Sequence, residues 1–416
     1  MFADIVSRKF KLKDSFLLDV VKDHGAYSAI DRAFEMSSNE IREEVDRSGL
    51  RGKGGGGGST GYKWKMMPEA GTTTTYLCVN ADESEPGTFK DRYVLAKDPH
   101  LLIEGVIITC YALGTHDAYM YIRGEYTYQH YIMQRAIDEA YEKGILGENA
   151  CGKGYRVDFT LHKGAGAYIC GEKTAQLVSI EGFRGNPRLK PHTPEPDHLF
   201  GEPCVVNNVE TIASIPYIVE NGAEGYRKFG TDCSPGSLLF GVSGHINKPI
   251  VQEAEFGVPM MKYIDEVAGG VWRDRKLKAV IPGGSSCKIL TRDEAYAVNL
   301  DYESMREAGT ALGTGGMIVM DETTDMVKSL LNLLEFYKEE SCGQCTPCRE
   351  GTGWALKAVK RIDQGKGTLK DVDALLDIAD YMNGKTVCVF APAVSDVIDG
   401  FVKKFTDEFV AKIKRA

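Results

Sequence analysis

The chain has 416 residues, of which 43% are hydrophobic and 26% are charged, values that are ordinary for a folded protein and exclude a disordered or fibrous chain. At roughly 100–200 residues per domain, this length predicts two or three domains. The formal net charge is -9 and no block of Lys and Arg residues occurs, which excludes the basic surface expected of a nucleic-acid-binding protein.

Neither a membrane span nor a secretory signal is visible. The longest apolar stretch, residues 101–114, is interrupted by Glu104 and is shorter than the roughly 18–20 residues that a span needs. The first residues, MFADIVSRKFKLKDSF, lack the apolar core of a secretory signal. We therefore expect a cytoplasmic protein in which the eleven cysteines stay reduced.

The first half of the chain is predicted to contain an α/β sheet. Residues 1–48 are predicted to form charged amphipathic helix, and β-rich and helical runs alternate from residue 50 to about residue 222. The predicted elements are, in order, Tyr76–Val79, His100–Leu113, Ala118–Ile122, Tyr128–Lys143, Arg156–Thr160 and Ala175–Ile180. Residues 186–203 carry five prolines and are predicted to form an ordered loop.

The second half changes character twice. Short predicted strands surround one predicted helix, Met260–Ala268, and favour a small β-plus-α domain; they are Leu238–Ser243, Lys278–Ile281 and Met317–Met320. Apolar residues then recur at helical spacing, which predicts a bundle of Met326–Glu340, Gly351–Ile362, Leu369–Tyr381 and Val394–Lys414. The expected fold class is thus α/β plus α+β plus all-α, with domains at residues 1–230, 235–322 and 325–416.

Four cysteines near the C-terminus form the strongest motif. Cys342, Cys345 and Cys348 give Cys-x-x-Cys-x-x-Cys, and a lone Cys388 follows. Three thiols in one tight loop plus a remote fourth commonly hold a 4Fe–4S cluster, because each iron takes one sulfur ligand. Structural zinc, which more often takes two separated ligand pairs, and unligated thiols are the alternatives. The other seven cysteines are expected to be small buried residues.

A glycine-rich segment precedes the first predicted strand. It reads GLRGKGGGGGSTGYKW over residues 49–64 and combines a permissive backbone with cations, which suits a phosphate or a flavin lying close to the main chain. By composition alone, residues 54–59 would also pass for a flexible linker. The cationic and aromatic residues around the run favour the ligand-binding interpretation.

An acidic loop follows that strand, with the sequence NADESEPGTFKDR from residue 80. Asn and Asp side chains at the carboxyl end of a strand can bond to flavin ring or ribityl groups, because ligands favour that edge of an α/β sheet. An ordinary capped turn with solvated carboxylates is the alternative for this loop.

Seven segments, taken together, resemble the NADH-oxidising flavoprotein (F) subunit of respiratory complex I. They are GLRGKGGGGGSTGYKW, VNADESEPGTFKDR, YIRGEY, GAGAYICGEKTA, NPRLKP, VVNNVET and ESCGQCTPCREG, in the order and spacing of that family and over nearly the whole chain. The resemblance implies a Rossmann-like flavin domain, a ubiquitin-like β-grasp domain of the soluble-ligand-binding type and a helical bundle carrying the cluster. It also implies non-covalently bound FMN and oxidation of NADH, with NADPH as a possible donor.

The resemblance also implies roles for individual residues. The family's FMN contacts correspond to Gly52, Lys53, Gly54, Lys63, Asn80, Asp82, Ser84, Tyr168, Gly171, Glu172, Asn207, Asn208 and Thr211. Its NADH contacts correspond to Glu85, Lys190 and again Tyr168. Its cluster ligands correspond to Cys342, Cys345, Cys348 and Cys388. No catalytic acid or base is expected, because the hydride passes directly from the nicotinamide to the flavin.

The nicotinamide half of the site departs from the family pattern. Gly58, Met66 and Thr193 stand where the family has aromatic side chains, and Lys173 replaces an acidic residue. Three lost stacking surfaces, at about 1 kcal/mol each, would weaken dinucleotide binding roughly a hundredfold or more, since 1.4 kcal/mol is tenfold. Lys173 leaves three outcomes open, namely NADPH, another anionic donor or no particular donor.

The implied function is electron input to a complex I-like NADH:quinone oxidoreductase. Expected partners are other subunits, especially a thioredoxin-like 2Fe–2S subunit and a large multi-cluster subunit, which would hold the chain at the inner face of the membrane. One alternative is the diaphorase subunit of a hydrogenase, formate dehydrogenase or bifurcating complex. The other is a relay that keeps FMN and cluster but no longer binds a dinucleotide, as the four substitutions suggest.

Overall fold

A computed structural model describes residues 1–190 and 194–414 of the chain. Three short helices come first: α1 (Leu18–Lys22), α2 (Ser28–Glu35) and α3 (Ser38–Ser48). A capping box between Ser37 and Glu40 starts α3, and Gly49 ends it with a left-handed φ of 68°. The amphipathic helix predicted for residues 1–48 is therefore divided into three pieces.

The first sheet has five strands in the order β3-β2-β1-β5-β4. The strands are β1 (Tyr76–Ala81), β2 (Asp117–Ile122), β3 (Asp158–Lys163), β4 (Asp197–Leu199) and β5 (Glu202–Asn208). β1 pairs in parallel with β2 and β5, and β2 pairs in parallel with β3. The carboxyl ends of β1 and β5 thus lie side by side, with Asn80 opposite Asn208.

The loop predicted for residues 186–203 is wrong where β4 and the start of β5 lie. β4 runs antiparallel to β5 at the edge of the sheet and contains no proline. Pro203 pairs with His198 of β4, whereas the pairing of β5 with β1 begins only at Cys204. The missing N–H of Pro203 therefore costs no bond to the central strand, which is why the proline is tolerated there.

Seven helices cover or connect these strands: α4 (Thr60–Lys65), α5 (Asp91–Lys97), α6 (Pro99–Leu113), α7 (Thr127–Glu142), α8 (Lys173–Ile180), α9 (Val209–Ala213) and α10 (Ile215–Arg227). The longest apolar stretch forms α6, which begins with a proline after the capping side chain of Asp98 and is buried along nearly its whole length. No helix among the described residues is long and apolar enough to cross a membrane.

The second sheet also has five strands, in the order β7-β6-β10-β8-β9. They are β6 (Ser237–Gly244), β7 (Ile250–Glu255), β8 (Leu277–Ile281), β9 (Leu290–Thr291) and β10 (Gly316–Asp321), accompanied by α11 (Met260–Val267), α12 (Arg292–Ala297) and α13 (Tyr302–Glu307). β6 and β10 are parallel, and the other neighbours are antiparallel. The prediction missed β7, β9, α12 and α13.

The remaining helices form the C-terminal bundle: α14 (Met326–Glu340), α15 (Thr346–Asp363), α16 (Leu369–Met382), α17 (Phe390–Lys404) and α18 (Thr406–Lys414). The single helix predicted for residues 394–414 is two helices, because Phe405 leaves the helical conformation with a φ of -126°. Lys288 and Lys404 fix α17 to the second sheet through bonds of 2.8 Å to Asp399 and 2.7 Å to Glu294. The fold is therefore a mixed α/β structure with two sheets and a helical bundle.

Candidate functional site

A cavity of about 530 Å³ lies where the carboxyl ends of β1 and β5 meet the glycine-rich segment. That volume is within the range of roughly 300–1,000 Å³ found for small-molecule and cofactor sites. Of the predicted cofactor-binding residues, those on its wall are Gly52, Lys53, Gly54, Lys63, Asn80, Asp82, Ser84, Glu85, Tyr168, Gly171, Glu172, Lys190, Asn207 and Asn208. Thr211 is fully buried behind the wall.

The glycine run forms a closed loop against the second sheet's helices. The N–H of Gly52 donates to the carbonyl of Gly58 at 2.8 Å, and the hydroxyl of Tyr302 donates to the carbonyl of Gly52 at 3.3 Å. Arg51 lies over the Tyr302 ring at 4.1 Å and bonds to Glu303 at 2.7 Å. These contacts fix the loop, which is unlike a flexible linker.

Gly57 shows why one position of this loop requires glycine. Its φ is 60°, and an added Cβ would lie 2.4 Å from Cε1 of Tyr302. The close packing of Tyr302 on the loop therefore depends on the missing side chain.

Lys53 and Thr211 hold the loop from behind. The main-chain N–H of Lys53 donates to Oγ1 of Thr211 at 2.9 Å. The Lys53 ammonium is fully buried and lies 2.8 Å from Oγ of Ser214 and 3.3 Å from Glu210. Both residues thus set the position of the main chain, while the charge of Lys53 is neutralised inside the protein.

Lys63 supplies a second buried cation on the cavity wall. Its ammonium donates to the carbonyl of Val206 at 2.8 Å. Burial lowers the pKa of Lys63 to about 8, and the nearby charge of Lys173 adds to the effect. An anionic ligand in the cavity would favour the charged form of this side chain.

The acidic loop after β1 presents polar groups to the cavity. Asn80 donates to the carbonyl of Gly171 at 2.9 Å, and Asp82 accepts a hydrogen bond from the Ser84 hydroxyl. Burial raises the pKa of Asp82 to about 7 despite that bond. The Asp82 carboxyl therefore changes charge near neutral pH.

Glu85 and Tyr168 meet on the opposite side. The Tyr168 hydroxyl donates to Oε2 of Glu85 at 2.6 Å, and the N–H of Ser286 donates to Oε1 at 2.6 Å. Glu172 accepts the N–H groups of Thr174 and Ala175 at 2.9 and 3.0 Å and so caps α8. The carboxylates of Glu85 and Glu172 are thereby held in place.

Three charged residues on the cavity wall were missed by the sequence analysis, although the acidic-loop motif contains them: Glu83, Lys90 and Asp91. The Lys90 ammonium lies 2.7 Å from Asp91 and 2.8 Å from Glu210. These side chains are almost fully buried. Charged residues repeated within one glycine- and proline-containing loop were the available signal.

The departures in the nicotinamide half leave open space and one ion pair. A Cβ added to Gly58 would meet nothing within 4 Å. Lys173 bonds to Asp197 at 2.7 Å and lies on the cavity wall. Met66 follows α4 and is not on that wall, and Thr193 lies outside the described residues.

The four predicted cluster ligands come from two loops of the bundle. Cys342 and Cys345 lie between α14 and α15, Cys348 lies in the first turn of α15, and Cys388 directly precedes α17. The N–H of Val387 donates to Sγ of Cys345 at 3.3 Å, which joins the two loops. Burial raises the pKa of Cys388 to about 11, with further contributions from the charges of Glu172, Cys342 and Cys348.

The chemistry of these donors suits an iron–sulfur cluster. Within residues 1–190 and 194–414, no three His, Cys, Asp or Glu side chains are arranged to hold a metal ion. A four-iron cube requires a different arrangement, one thiolate at each separate iron, and four cysteines from a tight loop and a second loop supply it. Arg349 donates to the carbonyl of Gly343 at 2.7 Å and stabilises the first loop.

The cavity and the cysteines share a wall. Cys388, Val389 and Phe390 line the cavity together with the glycine and acidic loops. The ring of Phe390 packs edge-on against Tyr168 at 5.8 Å. A molecule in the cavity would therefore lie next to the fourth cysteine.

This arrangement defines an oxidoreductase component with a flavin domain and an iron–sulfur region, and two family models match it. The "Nuo51 FMN-binding domain" matches residues 45–217, and the "NADH-ubiquinone oxidoreductase-F iron-sulfur binding region" matches residues 328–412. The chain belongs to the family of NADH-quinone oxidoreductase F subunits.

Relatives and solved structures agree with this assignment. The NADH-quinone oxidoreductase F subunit of Rickettsia bellii (strain OSU 85-389) is 47% identical over 377 residues, 90% of each chain, and the F 2 subunit of Rhizobium meliloti (strain 1021) is 44% identical over 415 residues, 100% of this chain and 98% of that one. A chain of an NAD+-reducing NiFe hydrogenase in the H2-reduced state has a TM-score of 0.83 at 33% identity over 92% of this chain. In the air-oxidised state the TM-score is 0.84 at 31% identity over 98% of this chain. The chain spans 64% and 66% of those two hydrogenase chains.

Proposed function

We propose that the chain is the electron-input subunit of a complex I-like NADH:quinone oxidoreductase. The carrying observation is the shared wall, since Cys388 lines the same cavity as the glycine and acidic loops. When bound, FMN accepts a hydride from a nicotinamide, and the iron–sulfur cluster accepts single electrons for transfer to partner subunits.

The cavity supplies the groups that FMN requires. Main-chain groups of Gly52 and Gly54, with the cation of Lys63, suit a phosphate or a flavin edge close to the backbone. Polar side chains at the ends of β1 and β5 suit ribityl and ring atoms; they are Asn80, Asp82, Ser84, Asn207 and Asn208. Tyr168, Gly171 and Glu172 complete the proposed FMN site, and Lys53 and Thr211 act by holding the glycine loop.

We propose that Glu85, Tyr168 and Lys190 bind the nicotinamide donor. Glu85 is fixed by three bonds, from Tyr168, Ser286 and the Ser285 hydroxyl at 3.1 Å, so it can orient an amide or ribose group without moving. Lys173 lies on the same wall and adds positive charge, which supports NADPH as a donor beside NADH. Its pairing with Asp197 offsets part of that charge.

The finer architecture belongs to the same proposal. We assign residues 1–230 to a Rossmann-like FMN domain, residues 235–322 to a ubiquitin-like β-grasp domain and residues 325–416 to the cluster-binding bundle. The five-stranded second sheet with its helix α11 supports the middle assignment. The ligands proposed for the 4Fe–4S cluster are Cys342, Cys345, Cys348 and Cys388.

Membership of this family implies partner subunits. We propose a thioredoxin-like 2Fe–2S subunit and a large multi-cluster subunit, through which the chain would lie at the inner, cytoplasmic face of the membrane. Phe183 and Val389, which are 71% and 65% exposed, flank the cysteine loops. Arg184 ties the first of them to that region by donating to the carbonyl of Cys342 at 3.3 Å. Exposed apolar groups of this kind are typical of interface cores.

The relay alternative is favoured by one observation, the open space at Gly58 where a stacking ring would stand. The diaphorase alternative is supported by the hydrogenase chains only to the extent that the two groups are related. Identification of the subunits that co-purify with the chain separates the diaphorase from the complex I-like assembly.

Anaerobic mixing with NADH or NADPH tests the proposed reaction. We expect the flavin absorbance of the purified protein to bleach with at least one of the two donors, followed by reduction of the cluster. Dithionite serves as the control that both groups are reducible. Bleaching by dithionite alone would leave the relay and eliminate the dehydrogenase.

A further inference from the structure

The amide of Asn208 is held in one orientation at the cavity wall. Asn208 ends β5 and caps α9, and its Oδ1 accepts the N–H of Glu210 at 3.0 Å and the Lys90 ammonium at 3.3 Å. Its Nδ2 donates to Oδ2 of Asp91 at 2.6 Å. A reversed amide would place nitrogen against two donors and oxygen against a carboxylate, which these contacts disfavour.

One donor of this amide remains for a ligand. Nδ2 carries two N–H groups, of which Asp91 takes one. Among the described residues, the second has no protein partner, and Asn208 is on the cavity wall. The amide therefore presents a hydrogen-bond donor to whatever occupies the cavity.

Asp91 cannot easily turn away from Asn208. Its Oδ1 is 2.7 Å from the Lys90 ammonium, which also lies 2.8 Å from Glu210. The main-chain N–H groups of Lys90 and Asp91 donate to Oε1 of Glu83 at 2.6 and 2.7 Å. Asp91 and Lys90 are buried, so releasing the carboxylate would leave charges without compensation inside the protein.

We propose that Asp91 is a positioning residue for the flavin, acting through Asn208. It keeps the amide nitrogen directed so that the free N–H meets an acceptor oxygen of FMN. Without the Asp91 carboxylate the amide can rotate and present its oxygen, which would repel that acceptor. The inference rests on the proposed function, because it takes FMN as the occupant of the cavity.

The test is a double-mutant cycle read as FMN affinity of the full-length protein. Fluorescence titration of the deflavinated chain with FMN gives Kd for the wild type, Asp91→Ala, Asn208→Ala and the double variant. We expect each single substitution to raise Kd about tenfold. The double variant should be no weaker than the weaker single variant, because the two residues act as one unit. Asp91→Asn, which keeps an acceptor oxygen, should recover most of the lost affinity.

Asp98→Ala is the matched control. Asp98 is also buried and paired with a lysine, Lys9 at 3.3 Å, but it caps α6 and is not on the cavity wall. We expect this variant to melt at a lower temperature and to bind FMN with unchanged Kd. Iron content and circular dichroism report whether each variant is folded, and the Asp91→Asn cycle replaces the alanine cycle if Asp91→Ala does not fold.

Two results would overturn the inference. One is a folded, iron-containing Asp91→Ala variant with the wild-type Kd, and the other is full additivity of the two single effects. Failure of the wild type itself to bind FMN is a different result, since it would remove the proposed function along with the inference.

Discussion

The hydroxyl of Tyr168 donates a 2.6 Å hydrogen bond to Glu85, and the same ring packs edge-on against Phe390 at 5.8 Å. Phe390 begins α17 and is two residues from Cys388. One side chain thus joins the acidic loop of the first sheet to the cysteine loop of the bundle. This contact explains how the cavity keeps a fixed position relative to the proposed cluster.

Replacing Tyr168 by Phe should weaken donor binding without loss of FMN. The variant keeps the ring packing and removes one bond to a charged group, so we expect the donor KM to rise about tenfold. Steady-state kinetics with an artificial acceptor and flavin content measure the two effects. Tyr121→Phe, which removes a buried hydroxyl bonded to Ser179 at 3.0 Å away from the cavity, should leave KM unchanged. An unchanged KM in Tyr168→Phe would remove Glu85 and Tyr168 from the donor site.

Replacing Gly58 by Phe should strengthen dinucleotide binding. An added Cβ meets nothing within 4 Å, so the ring can enter open space at the cavity. A stacking ring contributes about 1 kcal/mol, which corresponds to roughly a fivefold lower Kd. Titration with NADH and with NADPH gives the change for each donor. Gly57→Phe should instead lower the melting temperature, because its side chain would collide with Tyr302. The interpretation of Gly58 as a lost stacking position would be wrong if both donors bound the variant more weakly.

Replacing Cys345 by Ser should remove the cluster and spare the flavin. We expect iron to fall well below the wild-type content, because one of four thiolate ligands is lost. FMN content should stay the same, since Cys345 is not on the cavity wall. Cys233→Ser, at an exposed cysteine, is the control and should retain its iron. Equal iron in both variants would contradict the assignment of Cys345.

Glu104 predicts a pH dependence of stability. Burial in α6 raises the pKa of Glu104 from the ordinary 4.5 to about 7, although the N–H groups of Tyr27 and Ala29 donate to it. The folded state therefore binds this proton more tightly than the unfolded state, and stability falls as the pH rises between about 4.5 and 7. The contribution lost over this range is up to about 3 kcal/mol.

Glu104→Gln should remove that part of the pH dependence. Urea denaturation at a series of pH values should show a smaller decrease between pH 5 and 8 than in the wild type. The comparison concerns the slope, since the amide also loses one acceptor at every pH. Glu142→Gln, at an exposed position of α7, should retain the wild-type slope. Parallel pH profiles for Glu104→Gln and the wild type would show that Glu104 does not titrate in this range.

The helices of the bundle could be predicted because their signals are local. α14 has the predicted bounds Met326–Glu340, since Asp325 caps its first turn at 3.0 Å and apolar residues face one side. α15 begins before the predicted Gly351, because a proline after Cys345 starts the helix earlier. β3 lies two residues beyond the prediction, and the short β7 and β9 lack a clear alternation of apolar and polar residues.

The site shows the same division between local and long-range signals. Motifs contiguous in the sequence identified the glycine loop, the acidic loop and the cysteines before any fold was known. The ion pairs of Lys90 with Glu210 and of Lys173 with Asp197 could not be anticipated, because only the pairing of β5 with β1 and β4 brings those segments together. The packing of Tyr302 on the glycine loop likewise depends on the second sheet.

Flavin and metal analysis of the anaerobically purified chain tests the central claim most directly. The claim is that one cavity holds FMN beside a cluster bound by Cys342, Cys345, Cys348 and Cys388. We predict about one FMN and about four iron atoms per chain, as a single flavin site and a 4Fe–4S cluster require. A colourless protein that contains zinc, or neither metal nor flavin, would contradict the account.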